Sequence, residues 1–167
     1  MIDYLELIKM NYTIREIQPK DNAVVEHIIR SCLIEFNGNR VGTAWEDPDL
    51  GRFSEIYNTD NMKYWVAETD SVVGGVGIAP LIGVSGVCEL QKMYCIPEVR
   101  GTGISHSLIE TALDHAKKYY DQCYLETFGN MVAAQKFYEK YGFTRIPKPL
   151  GNTGHYVCDV LYIKKLK

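Results

Sequence analysis

Apolar positions along the chain recur with two different periods. Tyr12 to Ile17 (YTIREI) alternates and is rich in β-branched residues, which predicts a short strand ended by Pro19. After Asp21, placed as a helix N-cap, Val24, Val25, Ile28, Ile29, Leu33 and Ile34 fall on a period near 3.6 and predict an amphipathic helix. Phe36 to Asn61 is irregular, with one short helix suggested by Leu50, Phe53, Ile56 and Tyr57. Lys63 to Glu68 and Val72 to Leu81 read as a hairpin around Thr69–Asp70–Ser71. Gly74, Gly75 and Gly77 inside the second run suggest a bulge or the close approach of another backbone. A turn at Gly83 to Gly86 leads into a third strand, Val87 to Ile96. Leu108, Ile109, Ala112, Leu113 and Ala116 return to helical spacing. A strand at Cys123 to Phe128, a helix near Val132 to Tyr141 and a last strand at Tyr156 to Lys164 complete the pattern. The expected plan is an α+β domain spanning residues 1–167, its sheet antiparallel except across the central strand–helix–strand unit.

Composition changes this picture only by exclusion. With 167 residues, 46% of them hydrophobic, the chain fits one core of ordinary size. A formal net charge of -3 and the lack of a basic stripe argue against a nucleic-acid binder. Five cysteines without a CxxC pair predict a reduced, cytoplasmic setting and no disulfide framework. No run approaches the roughly 20 apolar residues of a membrane span, and no apolar leader is expected at the N-terminus. None of His27, His106, His115 and His155 has metal-ligand spacing, so no metal is expected.

The candidate chemistry gathers at Val99 to Ser105 (VRGTGIS), between the third strand and the helix that follows. Glycines free the backbone to turn sharply and present N–H groups, and a helix N-terminus adds positive potential, so such a turn suits a phosphate. The spacing does not fit a P-loop. A Rossmann turn would need glycine where His106 stands, although Glu126 near the end of the next strand is compatible with one. A plain turn followed by a helix start is the remaining reading.

A larger stretch bears on the choice. Glu89 to Leu108 (ELQKMYCIPEVRGTGISHSL) resembles the acyl-CoA-binding motif of the GNAT family of N-acetyltransferases, with Arg100, Gly101, Thr102, Gly103, Ile104 and Ser105 filling its Arg/Gln-x-x-Gly-x-Gly/Ala pattern. Ser105 departs from the usual Gly or Ala. Asn130 to Phe143 (NMVAAQKFYEKYGF) resembles the second family signature, and the element order agrees from Tyr12 to Leu166. The resemblance implies a mostly antiparallel sheet of six to seven strands that splays at its centre into a V, flanked by about four helices. It also implies that acetyl-CoA is the acyl donor, held by backbone around Met93, Tyr94, Cys95 and Ile96, by the turn from Arg100 to Ser105, and by Asn130 and Ala133.

The reaction the resemblance implies is direct attack of a substrate amine on the thioester. Tyr138 sits at the family's tyrosine position and is the expected acid toward the departing thiolate; an aromatic that merely packs a helix face is the alternative. Strand alternation is expected to place Glu89, Gln91, Met93 and Cys95 on one face. Gln91 stands where some relatives carry a glutamate, and an amide is no base, which leaves Glu89, acting directly or through water, with Glu126 and Glu46 as alternatives. Nothing near Cys95 predicts a reactive thiol. Acceptor choice is assigned to residues 36–61 and 148–155, where Glu46, Asp47 and Asp49 offer charge, and Trp45, Tyr57 and Trp65 an apolar wall. A small or amino-acid-like amine is the first expectation. A peptide amine, an aminoglycoside-like polyamine, and a non-catalytic acyl-CoA sensor are the alternatives, with a homodimer through the VCDVLYI strand as a further expectation.

Overall fold

The computed structural model describes residues 11–167; the expectation of no leader falls on residues 1–10, outside them. Eight strands form one sheet: β1 (Thr13–Glu16), β2 (Asn58–Thr59), β3 (Met62–Glu68), β4 (Val72–Pro80), β5 (Val87–Cys95), β6 (Gln122–Thr127), β7 (Thr144–Ile146) and β8 (Val160–Lys165). Their order is β1-β3-β4-β5-β6-β8-β7, with β2 paired to β3. All pairings are antiparallel except that of β5 with β6. The helices are α1 (Asn22–Glu35), α2 (Phe53–Ile56), α3 (Ile104–Ala116) and α4 (Val132–Lys140).

Two apolar layers sandwich the sheet. On one side Leu108, Ile109, Ala112, Leu113 and Ala116 of α3 pack with Tyr138 of α4 against Val76, Ile78, Cys88 and Leu90. On the other side Val25, Ile28, Ile29, Cys32 and Leu33 of α1 join Phe53, Tyr57 and Tyr64. The predicted helical stripes supply the helix faces of these layers, as burial of an amphipathic face requires.

Asp21 precedes α1 but its carboxylate does not cap that helix. It turns back to accept bonds from both terminal nitrogens of Arg15, at 2.7 and 3.0 Å, and from the Gln18 N–H at 2.8 Å. Burial alone would raise its pKa; the Arg15 and Gln18 bonds outweigh burial and hold the carboxyl below its usual range. A depressed pKa adds stability that is present above the unfolded carboxyl pKa and is lost as pH falls through the folded one. Asp21→Asn is therefore expected to lower unfolding stability by about 2 kcal/mol at neutral pH. Urea denaturation should show the gap from wild type closing in acid.

The glycines of β4 have two consequences. A Cβ at Gly75 would lie 2.5 Å from the Tyr64 ring, and one at Gly77 would lie 2.8 Å from the Tyr57 ring, so both aromatics close directly over bare backbone. Opposite them the register slips: Gly75 pairs with Tyr94 and Gly77 with Gln91, which leaves Lys92 and Met93 facing a single residue of β4. Lys92 takes the left-handed conformation, φ 50°, and its carbonyl accepts a 2.9 Å bond from the Tyr64 hydroxyl.

That bulge corrects the expected alternation. Met93 and Cys95 pack on the α3 side, whereas Tyr94 packs on the α1 side. Glu89 and Gln91 therefore do not share a face with Met93 and Cys95. Downstream, β5 and β6 pair only at Val87–Gln122, Cys88–Cys123 and Glu89–Tyr124. Beyond that point they diverge, and the sheet opens in the expected V. The last strand begins at Val160 rather than Tyr156, because residues 155–157 are held by the loop after α1: the Val157 N–H bonds the Gly42 carbonyl at 3.2 Å. Strand β8 is paired along its length by β6 and at Leu161, Tyr162 and Ile163 by the short β7.

Candidate active site

Two cavities meet where β5 and β6 part. The larger, about 460 Å³ in volume, runs between the turn ahead of α3 and the start of α4; Met93, Tyr94 and Cys95 form its floor and Gly101, Gly103 and Ser105 one rim. The smaller, about 60 Å³, lies on the α1 side and is lined by Glu89, Gln91, Lys92, Glu126, His155 and Cys158 among others. Tyr138 lines both, together with Met93, Tyr94 and Met131.

The turn fits a phosphate cradle. Gly101 and Gly103 adopt φ values of 77° and 99°, and a Cβ on either would meet nothing within 4 Å. Positive φ demands glycine here for the backbone's sake, and the open space leaves room for a ligand at van der Waals approach. Helix α3 starts immediately afterwards at Ile104, and its first N–H groups have no acceptor within the helix. Thr102 and Ile104 turn their side chains inward, Thr102 Oγ1 donating to the Val99 carbonyl at 2.6 Å, so these two residues can offer a ligand only backbone. Ser105 Oγ lies 3.6 Å from the Cys95 sulfur.

The side chains assigned to the cofactor divide into those that face the cleft freely and those already engaged. Arg100 lies at the cleft, but its guanidinium is held by Glu35 of α1 at 2.6 and 2.7 Å and donates from Nε to the Cys95 carbonyl at 3.2 Å. Asn130 donates Nδ2 to the Phe36 carbonyl at 2.8 Å and also borders the cleft, as does Ala133. Ile96 donates its N–H to the Val73 carbonyl at 2.9 Å and does not line the cleft. Past Glu89, the side of β5 toward β6 has no strand partner, so the backbone from Leu90 to Tyr94 keeps polar groups available at the gap.

Tyr138 comes from α4, across the sheet from Glu89, and reaches the gap with its ring packed edge-on to Phe137 and Phe143, at centroid distances of 5.8 and 5.9 Å. Its hydroxyl has no hydrogen-bond partner among the described residues. Burial pushes its pKa well above that of a free phenol, so it is protonated throughout the neutral range. Glu89 is 8% exposed; Oε2 accepts from the Gln91 amide at 2.7 Å, and Gln91 Oε1 accepts from the Tyr57 hydroxyl at 2.6 Å. Burial raises the Glu89 pKa, with the Gln91 bond working against it. Gln91, no base itself, thus orients the neighbouring carboxylate, and Tyr57 belongs to that chain of bonds rather than to an apolar wall.

The acidic loop residues do not present free charge. Asp47 accepts from Lys92 at 2.7 Å and pairs with His155 Nε2 at 2.9 Å; Glu46 accepts the Gly42 N–H at 2.9 Å; Asp49 pairs with Arg52 at 3.3 Å. Trp45 lies under Arg30, and Trp65 is buried on the α3 side, away from both cavities. The Lys92–Asp47–His155 group joins residues far apart in the chain, and no spacing signal in the sequence announces it. Burial pushes the Cys95 thiol up to about 11, which fits its unreactive reading. Among the described residues no three His, Cys, Asp or Glu side chains converge as a metal site, and no helix is long and apolar enough to cross a membrane.

An eight-stranded mixed sheet thus opens beside a glycine turn at a helix N-terminus, with a tyrosine standing in the opening, the arrangement that the resemblance in sequence implies. The chain belongs to the GNAT acetyltransferase family: the family model described as acetyltransferase (GNAT) domain matches residues 60–145. It is 38% identical over 156 residues to the uncharacterized N-acetyltransferase YjgM of Escherichia coli (strain K12), covering 91% of this chain and 93% of that protein. A GNAT-family acetyltransferase from Staphylococcus aureus Mu50 has the same fold, with a TM-score of 0.80 at 22% identity over 93% of this chain and 99% of that one. So does YncA from Salmonella typhimurium, solved with its cofactor acetyl-CoA, with a TM-score of 0.73 at 17% identity over 94% and 95% of the two chains. The chain is thus a GNAT N-acetyltransferase, an acetyl-CoA-dependent acyltransferase.

Proposed function

We propose that this enzyme transfers an acetyl group directly to the primary amine of a small metabolite, with donor and acceptor held in the two cavities at once. The observation that carries the reading is the position of Tyr138, which lines both cavities at their junction. When bound, acetyl-CoA supplies the acetyl thioester. The turn at Gly101 and Gly103 and the N-terminus of α3 would hold its pyrophosphate, and the open edge of β5 its pantetheine arm. Arg100 would meet the phosphates from its place beside Glu35, and Asn130 would border the arm.

Glu89 has the placement of a general base. It lies in the smaller cavity, enclosed and oriented by Gln91, and its raised pKa makes it a better proton acceptor than a free carboxylate. It takes the proton that the acceptor's ammonium must lose before attack. Tyr138, protonated at neutral pH, donates to the departing sulfur. The size of the smaller cavity, about 60 Å³, favours a small acceptor over a folded protein chain.

A screen of primary amines for CoA release from acetyl-CoA, with mass spectrometry of the product, tests this reading; N-acetylated product from a small amine is expected, and bound acetyl-CoA with no release for any amine would contradict it. As the base, Glu89 must be deprotonated, so activity should rise with pH through its raised pKa. Glu89→Gln should lower kcat by about 10²-fold and remove that acidic limb from the pH–rate profile. An unshifted profile would exclude Glu89 as the base.

A further inference from the structure

The larger cavity offers little positive charge to a ligand that carries phosphates. Among the described residues that line it, only Arg100 and His106 can bear one. Arg100 is already paired with Glu35, at 2.6 and 2.7 Å. His106 belongs to the first turn of α3, and side chains on a helix lean toward its N-terminus, here toward Gly103.

The imidazole is held on one edge and open on the other. Its ring packs edge-on to Phe137, with centroids 5.1 Å apart, and beside Tyr141 at 5.6 Å. Nδ1 lies 2.7 Å from the Tyr141 hydroxyl. Phe137 lines the cavity and Tyr141 does not, so Nδ1 is directed away from the cavity. Nε2, which has no hydrogen-bond partner among the described residues, is the nitrogen left for a ligand.

The proton positions follow from Glu110, one turn further along α3. The Tyr141 hydroxyl donates to Glu110 Oε1 at 3.2 Å; burial and this carboxylate push its pKa up to about 12, so it keeps its proton at neutral pH. With that one proton turned to Glu110, the Tyr141 oxygen accepts from Nδ1–H. An imidazole so tied can take a second proton at Nε2, and its positive charge then has Glu110 as counter-ion through Tyr141. An anion at Nε2 favours that form.

The order of groups along coenzyme A selects the anion. In the placement proposed above, the thioester lies at Tyr138, the pantetheine arm along β5 and the pyrophosphate on the backbone of Gly101 and Gly103. The adenosine, with its ribose 3′-phosphate, comes next. We infer that His106 binds the ribose 3′-phosphate of coenzyme A, with Tyr141 and Glu110 as the residues that position its ring. This rests on the cradle reading of the turn and extends the cofactor site from backbone to a side chain.

Calorimetric titration of CoA and of 3′-dephospho-CoA into wild type, His106→Ala and Tyr141→Phe tests it. Wild type should bind CoA about 10-fold more tightly than dephospho-CoA, the lower end for a charge-assisted bond because His106 is only half-buried. In His106→Ala that ratio should fall close to one through weaker CoA binding alone, and an unchanged affinity for dephospho-CoA reports that the variant is folded. Tyr141→Phe keeps the packed ring and loses the hydroxyl, so its ratio should lie between those two; a wild-type ratio would show that Tyr141 only packs and overturn its positioning role. Equal affinity of wild type for the two ligands, or a ratio that survives His106→Ala, would overturn the inference while leaving the pyrophosphate cradle intact. Equal weakening of both ligands in His106→Ala, with a wild-type thermal unfolding curve, would also overturn it. Failure of both ligands to bind wild type would instead refute the cradle itself.

Discussion

Tyr138→Phe is expected to lower kcat by about 10²- to 10³-fold, the range of a lost general acid. The phenyl ring keeps the edge-on contacts to Phe137 and Phe143 that hold the side chain in the gap, so the cavity walls are preserved and only the hydroxyl is lost. Affinity for acetyl-CoA, measured by titration, should stay near that of wild type. Because burial keeps the phenol protonated across neutral pH, the loss should be nearly constant there, unlike the pH-dependent loss expected for Glu89→Gln. A kcat unchanged by Tyr138→Phe would show that the ring only packs.

Gly103→Glu should weaken acetyl-CoA binding by at least about 10²-fold, since a carboxylate at the mouth of the cradle faces the phosphates at close range. The substitution carries backbone strain at φ 99°, of order 1 kcal/mol, but a Cβ there meets no neighbour within 4 Å. Gly103→Ala separates the two effects: it shares the strain without the charge, so it should bind far more tightly than Gly103→Glu. Equal affinities for the two variants would mean that the turn holds something other than the phosphates.

Much of this fold was legible in the chain because its helices are amphipathic and its strands short and punctuated. The periodic apolar positions of α1 and α3 are buried except at the edge of the α1 stripe, where Val24 is half-buried and Ile34 is exposed. The glycines of β4 announced an irregularity, but not that it would lie across the ladder at Lys92, and that one residue inverted the expected faces of β5 beyond Gln91. A period-2 argument has no means of locating a bulge in the partner strand. The strands that escaped the pattern, β2 and β7, have only two and three residues, too few to show a period. The start of β8 was misplaced because residues 155–157 follow long-range contacts to Gly42 and Asp47.

The site divides in the same way. The turn ahead of α3 was readable because positive φ and helix entry leave a local signature in glycine. Tyr138 was readable through the resemblance of its motif. The surroundings of Glu89 were not, because Tyr57, Gln91, Glu126 and the Lys92–Asp47–His155 group come together from β5, β6, the α2 segment and two loops. The acidic loop appeared to offer free charge for an amine, whereas its carboxylates are already paired within the protein.

Initial-rate kinetics with acetyl-CoA and a responsive amine varied together tests the central claim most directly, because it asks whether both cavities are filled at once. Simultaneous occupancy around Tyr138 predicts intersecting double-reciprocal lines and no acetylated enzyme in the absence of amine. Parallel lines, with an acetyl group trapped on Cys95 or Cys158, would contradict it.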